Sequence, residues 1–452
     1  MARRNIDMLN GRLFPSIVSY TVPIMLTNFL QLLFNAADLV VVGRFCGSIS
    51  VGAVSATGAL TMLIVNLFIG LSVGAGVTVA HGLGGNRTEY VEKAVHTALP
   101  TAVIGGLIVT FIGVTFSETF LTWMGTPANV LPLSAVYMKI YFSGMVFTIV
   151  YNFCASILRA VGDTKTPLMY LSAAGVINVI LNVIFVTVFH MNVAGVALAT
   201  IISQCISAIL VVRALCKRTD ACHLELKKVH IYKEPLWKII RIGLPAGIQG
   251  SLFSISNVII QSSINGFGLD AIIAGNGAAA NIDAFLYTAL NSFHQTAVNF
   301  IGQNLGAHKY DRIKKTYLHC LLCVTVVGIA GGLAVYTFGE SLLSIYITDS
   351  AEAISYGMLR LTYVGLPYFV CGLMDISTGA LRGLGASVTS MMVSILGVCG
   401  IRILWIYTVF QIPQFHTMQS LYISYLISWL ITFIIQTLAY IFIFKKKVRL
   451  RL

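Results

Sequence analysis

The chain has 452 residues, 57% of them apolar and 10% charged, with a mean hydropathy of +0.86 and a formal net charge of +13. A soluble domain carries about 25% charged residues, so this chain has too little charge to cover a water-soluble globule of its size. A nucleic-acid partner, which +13 might suggest, is set aside because of where the charges fall along the chain.

The first twelve residues, MARRNIDMLNGR, are polar and basic, and the apolar run from Leu13 is too long for the core of a cleavable signal. The first helix is read as its own insertion signal. Apolar runs then recur at about 14–43, 51–81, 91–117, 131–158, 167–190, 193–215, 236–265, 271–302, 316–339, 353–381, 388–410 and 417–444. Each can cross a hydrocarbon core, which takes about 20 apolar residues. Short alternating segments, the mark of an outer-membrane barrel, are not the pattern here. The nine Cys are scattered through apolar segments, and Cys320 and Cys323, the ends of CLLC, read as small apolar helix residues rather than a redox pair.

Lys and Arg orient the spans. With the N-terminus inside, 25 of the 29 fall in cytoplasmic segments, Arg44 alone lies in an outer loop, and Lys139, Arg360 and Arg402 lie within spans. That bias places both termini in the cytoplasm.

The chain also repeats itself. AHGLGGNRTEYVEK and GQNLGAHKYDRIKK align at an offset of 222 residues: Gly84 with Gly306, Arg87 with Lys309, Glu89 with Asp311, Lys93 with Lys315. Pro23 aligns with Pro245 and Phe45 with Phe267 at the same offset, and RAVGDTKT (159–166) aligns with RGLGASVT (382–389) at 223. Residues 1–215 and 236–452 are therefore read as two copies of a six-helix lobe, joined by a charged cytoplasmic linker at 216–235. The expected fold is an all-α membrane protein with twelve transmembrane helices in two pseudo-twofold-related six-helix bundles. Six is even, so both copies enter from one side, as in parallel-repeat transporters. In each repeated phrase Gly is expected to allow the tight turn and the bases to hold it inside.

Three acids sit well inside spans: Asp38, Asp283 and Asp375. An acid at the bilayer centre costs about 2.5–3.5 kcal/mol. It is kept for ion or proton handling, or else for a buried ion pair that orients helices. Arg402 is the base deep enough to neutralise Asp283 or Asp375, whereas Asp38 has no deep base in its own half. Asn178 and Asn182 lie four apart, on one face of a helix, and Thr200 follows in the next span. One carboxylate with several neutral oxygens suits a small hard cation such as Na⁺. Interhelical hydrogen bonding is the alternative for each Asn alone. Pro23 and Pro245 break the helical ladder within the first and seventh spans, as hinges or as fixed kinks.

At this point the residues resemble a known family. The twelve spans, NAADLVVVGR, HGLGGN, GQNLGAHKYDR, LRAVGDTKTP and LRGLGASVT are together similar to the prokaryotic MATE (multidrug and toxic compound extrusion) transporters, within the wider polysaccharide-flippase superfamily. The resemblance covers nearly the whole chain. It implies two lobes and a secondary antiporter, not an enzyme. Such a protein exports organic, cationic, amphipathic compounds across the cytoplasmic membrane in exchange for Na⁺ or H⁺. It implies that Asp38 is the family's helix 1 carboxylate, with Asn178, Asn182 and Thr200 as its companions, and that Asp375 is the second-lobe carboxylate. Asp283 resembles the acid of one bacterial subgroup. Asn182 stands where some members carry a second carboxylate, and Phe253 where some carry a Glu. Small organic substrates and membrane lipid are the implied partners of a monomer with no organic cofactor. A lipid-linked precursor flippase is the alternative. No HExxH, GxSxG or Walker phrase supports an enzyme.

Overall fold

The computed structural model describes residues 5–348 and 350–449. Arg3, Arg4 and Arg451, counted above for orientation, lie outside the described residues. The described residues are mostly helical, and no strand occurs among them. In the first half the helices are α1 (Leu13–Phe45), α2 (Ser48–Gly84), α3 (Thr88–Trp123), α4 (Leu131–Ser143), α5 (Met145–Ala160), α6 (Lys165–Thr187) and α7 (Asn192–Cys216). In the second half they are α8 (Lys233–Asn265), α9 (Asp270–Gly306), α10 (Tyr310–Thr337), α11 (Gly339–Leu343), α12 (Ala351–Arg360), α13 (Tyr368–Gly383), α14 (Ser387–Ser394), α15 (Ile401–Tyr407) and α16 (Met418–Arg449).

Nine of these helical stretches are long and apolar enough to cross a membrane by themselves, among the described residues. Two further spans are bent pairs: α4 meets α5 at 45°, breaking at Gly144, and α12 with its π-helical extension Leu361–Gly365 meets α13 at 42°, breaking at Leu366 and Pro367. The twelfth passage is α9. It is long enough, but Asn276, Asn281, Asp283, Asn291, His294, Asn299 and Gln303 make it too polar to pass on hydropathy. The bent spans occupy matching places in the two halves.

The repeated phrases share one backbone. The residues before α3 and α10 have nearly the same dihedrals, Arg87 at φ −90°, ψ 72° and Lys309 at φ −86°, ψ 68°. The turn's left-handed residue is not the repeated Gly: Gly84 and Gly306 end their helices, and Asn86 (φ 52°) and His308 (φ 58°) take the turn. Asn tolerates that region better than other side chains. The later phrases do use glycine, with Gly162 at φ 95° and Gly385 at φ 79°. After Gly162, Asp163 starts α6 by accepting from the Thr166 amide at 3.0 Å and hydroxyl at 2.7 Å.

The chain packs as two units. One comprises residues 1–7 and 22–247, the other residues 8–21 and 248–452. These units are bounded by packing, whereas the lobes expected from the repeat, 1–215 and 236–452, are bounded by sequence. Of the three crossings, the one after residue 7 precedes α1, and the other two fall inside helices, near Pro23 of α1 and Pro245 of α8. The segment read as a linker, 216–235, is docked on the first unit. Cys222 and Leu224 are fully buried there. The Glu225 amide donates to His96 Nε2 at 3.1 Å, and the Tyr232 amide donates to Thr97 Oγ1 at 3.0 Å. Arg218 is buried against Asp163 at 3.8 Å and hydrogen-bonds Asp220.

In the first unit α5 is the most enclosed helix, with Phe153, Cys154, Ile157 and Leu158 all buried. In the second, α13 lies against α9 through small residues. A Cβ on Gly379 would sit 2.9 Å from the His294 carbonyl, and one on Gly383 would sit 2.9 Å from that of Val298. All nine cysteines are free.

Candidate functional site

The first unit gathers all four residues expected there. α1 brings Asp38, α6 brings Asn178 and Asn182, and α7 brings Thr200. Glycine sets the spacing of the first two helices. A Cβ on Gly175 would fall 1.8 Å from the Phe34 ring, so only Gly lets α1 lie this close to α6. One turn beyond Phe34 stands Asp38. One and two turns beyond Gly175 stand Asn178 and Asn182.

Asp38 accepts from Asn182 Nδ2 on one oxygen and from Thr200 Oγ1 at 3.4 Å on the other. Asn182 Nδ2 also donates to Asn178 Oδ1, and Asn178 Nδ2 donates to Thr200 Oγ1, each at 3.3 Å. Asn178 and Asn182 are buried, and Asp38 is half-buried. No Lys or Arg among the described residues pairs with Asp38. One buried atom in the cluster, Asn182 Oδ1, has no hydrogen-bond partner. A buried carbonyl oxygen left without a partner costs about 1–3 kcal/mol, and a cation beside the carboxylate is a partner it would accept. The donor set of carboxylate, two carboxamides and a hydroxyl is all hard oxygen, which fits Na⁺. Tyr137 and Tyr141, whose stacked rings are 6.0 Å apart, lie near enough to feel the Asp38 charge. Sequence reasoning missed them, although their i,i+4 spacing was visible.

The second unit corrects the assignment of Arg402. Asp283 is paired with Arg360, whose Nε donates to Oδ2 at 2.9 Å. The same guanidinium donates to Asn276 Oδ1 at 2.7 Å. Asn276 and Asp283 are seven residues apart on α9, two turns along one face, so one Arg at the end of α12 spans both. Tyr422 also donates to Asn276 Oδ1, at 3.0 Å. Arg402 pairs with neither acid. It is buried over the Tyr425 ring at 4.0 Å, and it donates to Ser428 Oγ at 3.1 Å and Asn257 Oδ1 at 3.4 Å. An aromatic face and two neutral oxygens hold its charge.

Asp375 lies one turn from the Gly379 contact with α9. Its backbone carbonyl accepts from His294 Nδ1 at 2.7 Å, and His294 Nε2 faces Arg382 at 3.2 Å. Arg can only donate, so Nε2 is the acceptor and His294 carries its proton on Nδ1. Arg382 also donates to Gln249 Oε1 at 2.9 Å. Asp375 Oδ2 is buried with no hydrogen-bond partner, and Asn291 stands beside the carboxylate. The network of His294, Arg382 and Gln249 carried no sequence signal beyond the polarity of α9. Pro23 lies inside α1, where its carbonyl accepts from Thr27 Oγ1 at 2.7 Å, and Pro245 lies inside α8.

A family model described as MatE matches residues 23–184 and 245–408. The chain is 27% identical over 397 residues to "Probable multidrug resistance protein YpnP" of Bacillus subtilis, covering 86% of this chain and 87% of that one. It is 24% identical over 396 residues to "Multidrug export protein MepA" of Staphylococcus aureus, covering 87% of each. Among solved structures, "Outward-facing conformation of a multidrug resistance MATE family transporter of the MOP superfamily" matches with a TM-score of 0.90, 19% identity and 99% of both chains covered. "Crystal structure of MATE in complex with MaL6" matches with 0.91, 20% and again 99% of both. The flippase alternative gains no support from these matches.

Proposed function

We propose that this chain, which belongs to the MatE family and is a multidrug efflux transporter rather than an enzyme, works as a secondary antiporter. In this reading it exports organic, cationic, amphipathic compounds across the bacterial cytoplasmic membrane in exchange for Na⁺ or H⁺. One observation carries it: Asp38 is a carboxylate inside a span, bonded to Asn182 and Thr200, with no basic partner among the described residues.

Asp38, Asn178, Asn182 and Thr200 are the coupling residues. A Na⁺ ion would take its charge balance from Asp38 and further oxygens from Asn182, Asn178 and Thr200. A proton would sit on Asp38 itself. Either ion cancels the one formal charge of the cluster and changes which hydrogen bonds the Asn182 amide can make. An ion shifts a conformational equilibrium only through its different affinity for the two states. A site shared by α1, α6 and α7 supplies that difference if α1 moves, and Pro23 is the place where its ladder lacks a bond. Pro245 is the equivalent hinge in α8. In the second unit Asp375, with a buried oxygen free of hydrogen bonds, is the further candidate for ion or substrate contact. Asp283, held by Arg360, orients α9 against α12. The protein acts as a monomer with both termini in the cytoplasm, and meets only small organic substrates and lipid, with no nucleic acid.

The test is dye efflux from inverted vesicles with a Na⁺ gradient and a pH gradient imposed separately, on wild type and Asp38→Asn. The swap is nearly isosteric, so the protein should insert and bind dye in detergent. It should lose gradient-driven export, because an amide neither titrates nor balances a cation. Wild-type export by Asp38→Asn would remove Asp38 as the coupling residue.

A further inference from the structure

The two copies of the repeated turn have the same backbone but not the same charge. The dihedrals before the helix agree within a few degrees, and the left-handed residue falls in the same place. In the first copy Arg87 and Lys93 are balanced by Glu89 and Glu92, and Lys93 pairs with Glu89 at 2.6 Å. In the second copy Tyr90 is replaced by Arg312 and Glu92 by Lys314, so Lys309, Arg312, Lys314 and Lys315 face Asp311 alone. The turn therefore does not need the extra bases.

The second copy also forms a cleft the sequence could not announce. An open cavity of about 400 Å³ is lined by His308, Lys309, Tyr310, Asp311, Arg312 and Lys315. Its rim is built. Lys309 Nζ donates to the Leu9 carbonyl at 3.1 Å, and Arg312 donates to the carbonyls of Met8 and Gly11 at 2.9 and 2.7 Å. Tyr310 packs edge-on against Phe444 at 6.1 Å, and Lys314 lies over the same ring at 5.5 Å. Lys445, Lys446 and Lys447 follow Phe444 in the chain, at the end of α16. Below the cleft, α10 turns outward a stripe of Leu318, Leu322, Val326 and Leu333, all exposed. Their spacing of three, four or seven residues runs straight on from Lys315.

We infer that this cleft binds the phosphate headgroup of an anionic phospholipid, with the acyl chains along the α10 stripe. Basic side chains at the membrane boundary attract anionic lipid, and Tyr310 has the amphipathic ring that settles at that depth. The apolar stripe leading from the bases is what favours a lipid over free phosphate. The inference does not depend on the antiport reading, since the cleft shares no residue with the Asp38 cluster.

The purified full-length protein in neutral detergent would be titrated separately with phosphatidylglycerol, phosphatidylcholine and inorganic phosphate, and bound species counted by native mass spectrometry. Phosphatidylglycerol should bind more tightly than phosphatidylcholine. Lys315→Gln should weaken its tightest site about fivefold, the share of one base at a membrane surface, and Lys314→Glu/Lys315→Gln should weaken it further. Lys93→Gln, the matching position of the first copy, should leave it unchanged. Equal binding of the two lipids overturns the proposal, as does an equal loss in Lys93→Gln and Lys315→Gln. Displacement of the lipid by inorganic phosphate at comparable concentration makes free phosphate the ligand and overturns the lipid assignment.

Discussion

Asp283→Ala tests what the Arg360 pair contributes. The acid is 3% exposed and the Arg360 side chain 11%, so truncation leaves a guanidinium inside the second unit without its carboxylate. Breaking a buried pair from one side costs about 3–5 kcal/mol. Arg360 keeps its bond to Asn276 and its place 5.9 Å from the Tyr422 ring and 5.8 Å from that of Tyr425. Ring contacts of this kind are worth about 0.5–1 kcal/mol each, which puts the expected loss near the low end, about 3 kcal/mol. Replacing both partners, Asp283→Leu/Arg360→Met, removes the orphan charge and should recover most of that loss. The assay is unfolding in mixed micelles of rising SDS fraction, read from Trp429, which packs against Tyr368 and Tyr425 in the same unit. A single-variant loss under about 1 kcal/mol, or a double variant no better than the single, refutes the pair as a structural clamp.

Arg402→Met should cost less than Arg360→Met in that unfolding assay, because it strands no carboxylate; the reverse order would mean Arg402 balances an acid after all. Gly175→Ala should cost about 1–3 kcal/mol through overpacking against Phe34 and reduce dye export, and Phe34→Ala in the same chain should restore both; full export by Gly175→Ala alone would show that the α1–α6 spacing does not set the Asp38 cluster. The docked segment should open in acid. Burial alone would raise the Asp220 carboxyl, but the hydrogen bonds and charge of Arg218 outweigh it and hold Asp220 below the usual carboxylate range. A depressed folded value gives stability that is present above the ordinary carboxylate pKa and lost as pH falls through the folded one. Hydrogen exchange at 217–224, corrected for intrinsic rate, should hold steady from about pH 6 to about pH 4 and rise below that. An earlier rise, or an unchanged profile in Asp220→Asn, counts against it.

Local signals carried part of this molecule. Runs of apolar residues marked the spans because the bilayer imposes a minimum length, and α9 was legible from length even where its polarity defeats hydropathy. The pair Asn178 and Asn182 was legible because four residues is one turn. Asp38 was legible because an acid inside a span is costly. The partner of Asp283 was not. Arg360 is 77 residues away, and no period links them; what joins them is the packing of α12 on α9 and the reach of an Arg side chain. The left-handed turn was assigned to glycine because glycine is the usual occupant, yet Asn86 and His308 take it. Residues 216–235 read as a linker because they are charged; that they are also docked was not legible, since Arg218 turns inward to Asp163 and Cys222 and Leu224 turn inward with it.

The buried charges divide unevenly between the units, and the division bears on where a cation can act. In the first unit the charged groups of the span interiors reduce to Asp38, because Lys139 meets Glu118 at 3.5 Å with both side chains well exposed. In the second, Asp283 and Asp375 are accompanied by Arg360, Arg382 and Arg402, all within the same bundle of helices. Arg382, like its first-half counterpart Arg159, stands at the end of its span read as cytoplasmic; of the groups within spans, the first interior carries one negative charge and in the second Asp283 and Asp375 are matched by Arg360 and Arg402. At an effective dielectric of about 20, unit charges at about 4 Å interact by about 4 kcal/mol, so an added Na⁺ is drawn to the first set and repelled by the arginines of the second. The second interior can take a proton on Asp375, but a metal cation there must displace or outbid a guanidinium that cannot be neutralised. The two halves share the turn backbone before α3 and α10 and differ in buried charge. On the antiport reading proposed above, a coupling Na⁺ belongs in the unit that holds Asp38, which has no basic partner among the described residues.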